Sequence, residues 1–501
     1  MVERLEQRAH ACAARLRAAP SVLVASHIDA DGLASAGVAA TALERAGVGI
    51  DISFKTQLDE DALEGIATRE HDVVLFTDFG SGQLNQIATF EANGAFTPII
   101  VDHHQPADID ADMEIEYHLN PLLEGIDGAA ELSGAGAAYV LARALAAGSG
   151  SSGNNSGGDS DADAEAHPDN WDLAALTVVG AVGDRQLRDG ELVGVNQRIV
   201  KEGIEAGVLH EKIDITFYGK QTRPLPKLLE YADDVRIPGL TGDQEGATSF
   251  LANLDAERHL DLRDDDGWRR WVDLERSEQR RLMSAIVKTA IERGVPHEAI
   301  DSVIGTSYLL ADEAEGTALR DASEFSTLLN STARYDRAKV GFAVCRGDRD
   351  IALHHAHELR SNHKQRLSEG LALVKREGTT VEEHLQWFDA GDRIRDTIVG
   401  IVAGMALGSD GIDTKRPLIA FATKPEADDS DGDGEATRER EVSARGTDLL
   451  VREGLNLAVV MSEAAEAVGG GNDIAAGATI PAGREQAFLD HAGEQIHQQL
   501  S

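Results

Sequence analysis

A chain of 501 residues with 42% hydrophobic content is too long for one core and implies about three domains. Its 87 acidic and 47 basic residues give a net charge of −40, spread along the whole length, which argues against a broad basic surface and fits a protein kept soluble in a very salty cytoplasm. No apolar run approaches the roughly 18 residues of a membrane span, and Cys12 and Cys345 alone make neither a disulfide framework nor a zinc-ligand spacing.

Residues 1–17 have helical apolar spacing and lack the basic-then-apolar pattern of a signal segment, so a soluble, cytoplasmic chain with no membrane partner is expected. From Ser21 the pattern alternates: strand 21–26, helix about 32–46, strand 50–55, helix 60–68, strand 73–78, helix 81–92 and strand 97–102. Such alternation predicts βαβ units in a parallel sheet, whose ligands bind beyond the carboxyl ends of the strands. A helix near Ser133–Ala147 begins Ser133-Gly-Ala-Gly136. Residues 148–168 are too polar and Gly/Ser-rich to bury a core and read as a flexible insertion. A helix over about 171–183 leads into Asp184.

Residues 205–300 are charged and mostly helical in pattern, with Trp268 and Trp271 as packing anchors. Phe217, Tyr218 and Tyr231 are the aromatics there that suit either base stacking or, more commonly, a core. Strand 301–309, helix 321–332, strand 339–345, helical stretches about 349–377 and 381–406, and strand 417–422 follow. Asp429, Asp431 and Asp433 mimic the start of an EF-hand loop, but Arg440 stands where a bidentate Glu belongs, so 425–441 reads as an acidic surface loop. Glu441–Thr447 and Leu457–Ser462 bracket a Gly-rich segment, 469–483. The fold class is thus α/β: a parallel-sheet domain over 1–204, a helical connecting region over 205–300, and a smaller α/β domain over 301–501 with a helical insertion about 349–406.

Four acid clusters, each after an apolar run, carry the chemistry. They are Val22-Leu-Val-Ala-Ser-His27-Ile-Asp29-Ala-Asp31-Gly32, Val73-Val-Leu-Phe-Thr-Asp78, Pro98-Ile-Ile-Val-Asp102-His103-His104 and Gly180-Ala-Val-Gly-Asp184. Asp29 and Asp31, two apart, turn toward one site at a strand end. Acids from several strands joined by imidazoles suit a pair of hard divalent cations, Mn²⁺ or alternatively Mg²⁺, about 3.5–4 Å apart.

HIDADG, TDFGSGQ, VDHHQP and GAVGDR resemble, in order, the four motifs of the DHH phosphoesterase superfamily. That superfamily includes RecJ single-strand exonucleases, oligoribonucleases, cyclic-dinucleotide phosphodiesterases and family II pyrophosphatases. The resemblance covers residues 20–186 and makes 1–204 a DHH catalytic domain. It implies one ion on His27, Asp29 and Asp78, and another on Asp31, Asp78, His103 and Asp184, with Asp78 bridging. Asp102 would orient a ligand and His104 would contact the scissile phosphate. His27 lies two residues before Asp29, where some branches place the ligand four before.

Val442-Ser443-Ala444-Arg445-Gly446 and Gly469-Gly470-Gly471-Asn472 through Thr479 resemble the DHH-associated substrate-binding domain. There Ser443, Arg445, Gly470, Gly471 and Asn472 would contact substrate phosphate and the terminal nucleotide. Arg supplies a bidentate fork and glycines let backbone N–H groups approach an anion. Asn472 stands where the family commonly has His; an amide donates but carries no charge. Leu319 through Arg334 resembles a helix of archaeal RecJ-like proteins, in which Asn330 and Arg334 share one face and serve either nucleic acid or a domain contact. The resemblance implies an exonuclease of single-stranded DNA or RNA in repair or replication, with GINS-type replication factors as partners. The alternatives are a phosphodiesterase of dinucleotides or very short oligomers, and a non-catalytic replisome scaffold.

Overall fold

The computed structural model describes residues 2–110, 113, 115–147, 169–232, 235–258, 260–335, 337–409, 411–424, 438–465 and 469–500. The expected insertion at 148–168 and most of the acidic loop at 425–441 lie outside them. The chain forms two compact units, Met1–His357 and Glu358–Ser501.

The first unit opens with helix α1 (Val2–Arg17) and continues as β1 (Ser21–His27), α2 (Ala30–Arg45), β2 (Gly49–Lys55), α3 (Glu60–Ala67), β3 (Val73–Thr77), α4 (Leu84–Ala92), β4 (Thr97–Val101) and β5 (His118–Leu119). The five strands lie in the order β2-β1-β3-β4-β5 and every pair is parallel. Alternate residues feed two cores, as a period of two requires when both faces are covered. Val22, Val24, Val73, Leu75 and Ile99 enter one core; Leu23, Ala25, Val74, Phe76 and Ile100 enter the other. Because all strands run the same way, His27, Asp78 and Asp102 emerge together at the carboxyl edge. Helices α5 (Gly134–Ala147), α6 (Ala174–Gly183) and α7 (Gly194–Glu205) complete this layer.

Strands Leu209–Ile215 and Ile304–Leu310 then pair antiparallel. Between them, helices over 225–230, 244–258, 276–292 and 297–301 surround a separate core built on Phe217, Leu251, Trp271 and Ile286. Trp271 is fully buried and donates to Asp214 at 2.8 Å, while Trp268 packs against the margin of that core. This pairing joins residues 209–215 and 304–310 within the first unit, which ends at His357.

Two elements differ in type from expectation. Residues 339–345 form a helix, Ala338–Cys345, burying Ala338, Gly341 and Val344 at a three-residue interval. A short apolar run such as Val340–Cys345 cannot by periodicity alone be told from a buried helix. The expected helix 381–406 divides into strand Gln386–Gly391 and helix Asp396–Leu407. The strand buries alternate positions, Gln386, Phe388 and Ala390.

In the second unit a six-stranded sheet runs Thr380–Val381, Gln386–Gly391, Leu418–Thr423, Glu439–Arg445, Ala475–Pro481, Gly469–Gly471. The second and third strands are parallel and the other pairs antiparallel. Cores form around Phe421, Met461 and Phe488, and around Val399, Val402 and Leu418.

Candidate metal centre

His27 ends β1, and its Nδ1 lies 3.2 Å from Asp29 Oδ2 and 3.6 Å from Asp78 Oδ2. His103, two residues past β4, places Nε2 at 3.3 Å from Asp78 Oδ1, 3.7 Å from Asp184 Oδ2 and 3.8 Å from Asp31 Oδ2. His27, Asp29 and Asp78 therefore form one group that could hold a metal ion, and Asp31, His103 and Asp184 another. Asp78 stands between them with one oxygen toward each imidazole.

Each ligand is held by its own device. Asp29 caps α2, accepting from Gly32 N at 2.9 Å. Asp31 accepts from Gly134 N at 2.7 Å and Ala135 N at 3.0 Å, so the first turn of α5 orients it and its positive end stabilises the charge. Asp78 follows β3 in the left-handed region, φ 62°, a backbone cost an Asp tolerates better than most residues and one that clusters at functional sites. His103 Nδ1 lies 2.7 Å from the Gly128 carbonyl, which fixes the proton there and leaves Nε2 as a lone-pair donor. Asp184 terminates α6 and accepts from Gln186 Nε2 at 2.8 Å.

Asp102 and His104 come within ligand distance of Asp78 and His103, but Asp102 is committed to supporting the edge. Its Oδ2 accepts from Ser81 N at 2.9 Å, and its Oδ1 accepts from His103 N at 2.8 Å and lies 2.8 Å from His104 Nδ1. His104 is largely exposed and Asp102 fully buried, so a buried carboxylate aims an imidazole at solvent. Burial opposes ionisation of Asp102, but the His104 contact outweighs it and holds the carboxyl below its ordinary range; the same contact raises His104.

The residues fit cations. Both Asp78 oxygens and His103 Nε2 are buried without a hydrogen-bond partner, an arrangement a protein maintains only where something else satisfies those atoms. Oxygens with imidazole suit Mn²⁺ or Mg²⁺. Electrostatics agree: burial and the charges of Asp78 and Asp184 push Asp31 well up. Burial pulls His27 down, but Asp29 and Asp78 more than offset it and raise it to about 11. Protons thus stand where cations would, and metal binding releases them. Room is reserved as well: a Cβ on Gly134 would strike the Asp78 carboxylate, one on Gly180 the Asp31 carboxylate, and one on Gly128 the His103 carbonyl.

Gly134, Gly128, Gly180 and Gln186 escape a sequence reading based on ligands. The Gly134 signal was present in Ser133-Gly-Ala-Gly136. Gln186, joined to Asp184, to the Gly128 carbonyl at 2.8 Å and to Asn196 at 2.6 Å, has no spacing signature. Asn330 Oδ1 accepts from Ala30 N at 2.9 Å, tying its helix (Ala322–Ala333) to the start of α2 beside Asp29. Arg334, four residues on, caps that helix half-buried, and desolvation lowers its pKa.

In the second unit Ser443 lies opposite Gly477, Arg445 opposite Ala475, and Gly470 and Gly471 opposite Gly477 and Ala476. Arg445 is partly buried, which lowers its pKa, and Nη1 donates to its neighbour's carbonyl, Ala444 O, at 2.8 Å. A Cβ on Gly400 would meet Ser443 Oγ and Arg445 Nη2, so that glycine lets the helix Asp396–Leu407 close over both. Asn472 Oδ1 accepts from Ile474 N at 3.1 Å and Ala475 N at 2.8 Å, so its amide oxygen closes its own turn.

Fold and cage together define a parallel α/β protein with a carboxylate–imidazole centre at its strand ends. Residues 21–163 match the DHH family, N-terminal domain, and residues 217–304 match the DHH-CID domain; the latter occupies the region expected only as a helical connector. The chain is 27% identical over 486 residues to an uncharacterized protein of Methanocaldococcus jannaschii, covering 96% of this chain and 94% of that protein. RecJ in complex with Mn²⁺ from Thermus thermophilus superposes with a TM-score of 0.56 at 17% identity, covering 98% of this chain and 55% of that one, so this chain spans about half that relative's length. CDC45 from Entamoeba histolytica gives 0.58 at 9% identity, covering 99% of this chain and 98% of that one. Residues 21–163 and 217–304 thus carry DHH-type domains, and the chain as a whole has a fold like that of RecJ. Among the described residues no helix is long and apolar enough to cross a membrane.

Proposed function

We propose that this chain is a two-metal phosphodiesterase that removes nucleotides from an end of single-stranded DNA or RNA, with Mn²⁺ as the preferred ion and Mg²⁺ as a substitute. The observation that carries this reading is Asp78: a fully buried carboxylate between two imidazole groups, with both oxygens unpartnered. A paired metal centre supplies charge neutralisation at phosphate and an attacking hydroxide at neutral pH. Asp31, Asp78, His103 and Asp184 would hold one ion, and His27, Asp29 and Asp78 the other. His104, aimed outward by Asp102, touches the scissile phosphate and assists the leaving oxygen as a proton donor. Ser443, Arg445 and the Gly470–Gly471 edge bind a substrate phosphate. Because the Asn472 amide carries no charge, that element relies on Arg445 for positive charge. A replication partner of the GINS type belongs to the same reading.

The test is digestion of end-labelled DNA and RNA of graded length, in Mn²⁺ and molar KCl. A ladder that shortens from one end supports the exonuclease. Activity confined to the shortest oligomers would make it an oligonucleotide phosphodiesterase, and no cleavage in any divalent ion would leave a scaffold.

A further inference from the structure

Beside the metal centre, at the open edge of the sheet, lies a groove of about 540 Å³ whose charged lining residues are Lys55, Arg69, Arg337 and Lys339, with Phe54 and Ile28 on its apolar wall. In a chain with 87 acids to 47 bases, four cations and no carboxylate on one lining depart sharply from the composition. Arg69, Arg337 and Lys339 are exposed. No carboxylate pairs with any of the four among the described residues, and Arg69 is steadied by donating to the Ile52 carbonyl at 3.1 Å. A groove of the second unit also gathers three arginines, but Glu369 and Asp392 share its lining and Arg393 is bound to Glu377.

The position of the first groove is set by strand register. Lys55, the last residue of β2, is the pairing partner of His27, and Ile28 lies between the ligands His27 and Asp29. The remaining cations at 337 and 339 come from the segment joining the helices Ala322–Ala333 and Ala338–Cys345 and from the start of the second, and the first of these helices is bonded through Asn330 to the start of α2. The groove therefore begins where one ligand group ends.

We propose that this groove seats the phosphodiester backbone of a single-stranded nucleic acid beyond the scissile phosphate, with Lys55, Arg69, Arg337 and Lys339 as sequence-independent phosphate contacts. The proposal rests on the phosphodiesterase reading and specifies its substrate as a polymer. Each phosphate contact on a single strand contributes roughly 0.7 to the slope of log affinity against log salt. Loss of four lowers that slope by about 3.

The test uses the full chain and its Lys55→Gln/Arg69→Gln/Arg337→Gln/Lys339→Gln variant. Binding of a fluorescein-labelled twenty-nucleotide oligothymidylate is followed by anisotropy in EDTA over a series of KCl concentrations. Hydrolysis of bis(p-nitrophenyl) phosphate is followed separately in Mn²⁺. The expected result is a slope reduced by about 3 and at least a tenfold weaker affinity at the lowest salt, with bis(p-nitrophenyl) phosphate turnover within twofold of the parent. An unchanged slope overturns the proposal, as does a fall in small-substrate turnover equal to the fall in oligomer affinity. Should the fourfold variant not fold, Arg337→Gln/Lys339→Gln decides by the same slope, expected to drop by about 1.4. If the parent cleaves nothing, the catalytic reading fails while the binding slope still judges the groove.

Discussion

Asp78→Asn isolates the central claim, because the amide keeps the volume of the carboxylate and removes one ligating oxygen and the charge. Each ion present at a hundredfold excess over its Kd stabilises the native state by about 2.7 kcal/mol. Unfolding entropy of about 2.1 cal/mol/K per residue over the 357 residues of the first unit gives about 0.75 kcal/mol/K. One ion therefore raises the melting temperature by about 3.6 °C, and two by about 7 °C. Because Asp78 offers Oδ2 toward the His27 group and Oδ1 toward the His103 group, Asn at this position weakens both. The Mn²⁺-dependent shift is expected to collapse to below about 2 °C at the same ion concentration. Circular dichroism in EDTA should remain that of the parent, since isosteric replacement leaves the packing intact. The assay is differential scanning fluorimetry in Mn²⁺ against EDTA, with stoichiometry from calorimetric titration. A folded Asn variant that keeps the full shift and binds two ions would refute the bridging role.

Gly134→Ala drives a Cβ into the Asp78 carboxylate while the backbone of α5 is pinned by its bonds to Asp31; Mn²⁺ affinity should fall at least tenfold with stability reduced by about 1–3 kcal/mol, read by titration and by denaturant melts. Asn330→Ala strands the Ala30 N–H and should cost about 1–2 kcal/mol together with Mn²⁺ affinity; unchanged stability with weaker substrate binding would instead make Asn330 a substrate contact. Glu441, on the strand carrying Ser443 and Arg445, has its carboxyl raised to about 7 by burial, with Lys424 offsetting part of the effect. The native form keeps that proton to a higher pH than the unfolded chain, near 4.3, so this residue destabilises the fold progressively as pH rises from about 4.3 to 7. Glu441→Gln should accordingly gain stability over the parent across that window, reaching no more than about 3 kcal/mol; a pH-independent difference in denaturant midpoints would refute it.

What the sequence disclosed followed from constraint. Alternating strands and helices through residue 102 were legible because buried parallel strands must be apolar and short, and their ends must carry polar residues. The convergence of acids and imidazoles was legible because only a few side chains bind hard cations and their order tracks the strands. The residues that make room were not: a glycine such as Gly134 is informative only when its neighbour in space, Asp78, is known. Trp268 and Trp271 were legible as packing anchors, but the extent of the core around them was hidden for another reason. It lies between two strands, Leu209–Ile215 and Ile304–Leu310, that are distant in sequence, so no local pattern announces that the enclosed helices form one body. Ala338–Cys345 shows the remaining weakness, since a short apolar run carries no period long enough to reveal a helix.

The two ends of helices that meet at the cage are not equivalent. Asp31 faces the amino end of α5 and accepts from two of its N–H groups, which offset part of the burial and neighbouring negative charge that push its pKa up. Asp184 stands at the carboxyl end of α6, where the helix dipole repels a carboxylate, and burial further raises its pKa. It accepts a hydrogen bond from Gln186, with His103 Nε2 3.7 Å away, and the Gln186 Nε2 also serves the Gly128 carbonyl that orients His103. One amide therefore couples the Asp184 carboxylate to the tautomer of the imidazole opposite. The group of Asp31, His103 and Asp184 therefore depends on Gln186 for its geometry.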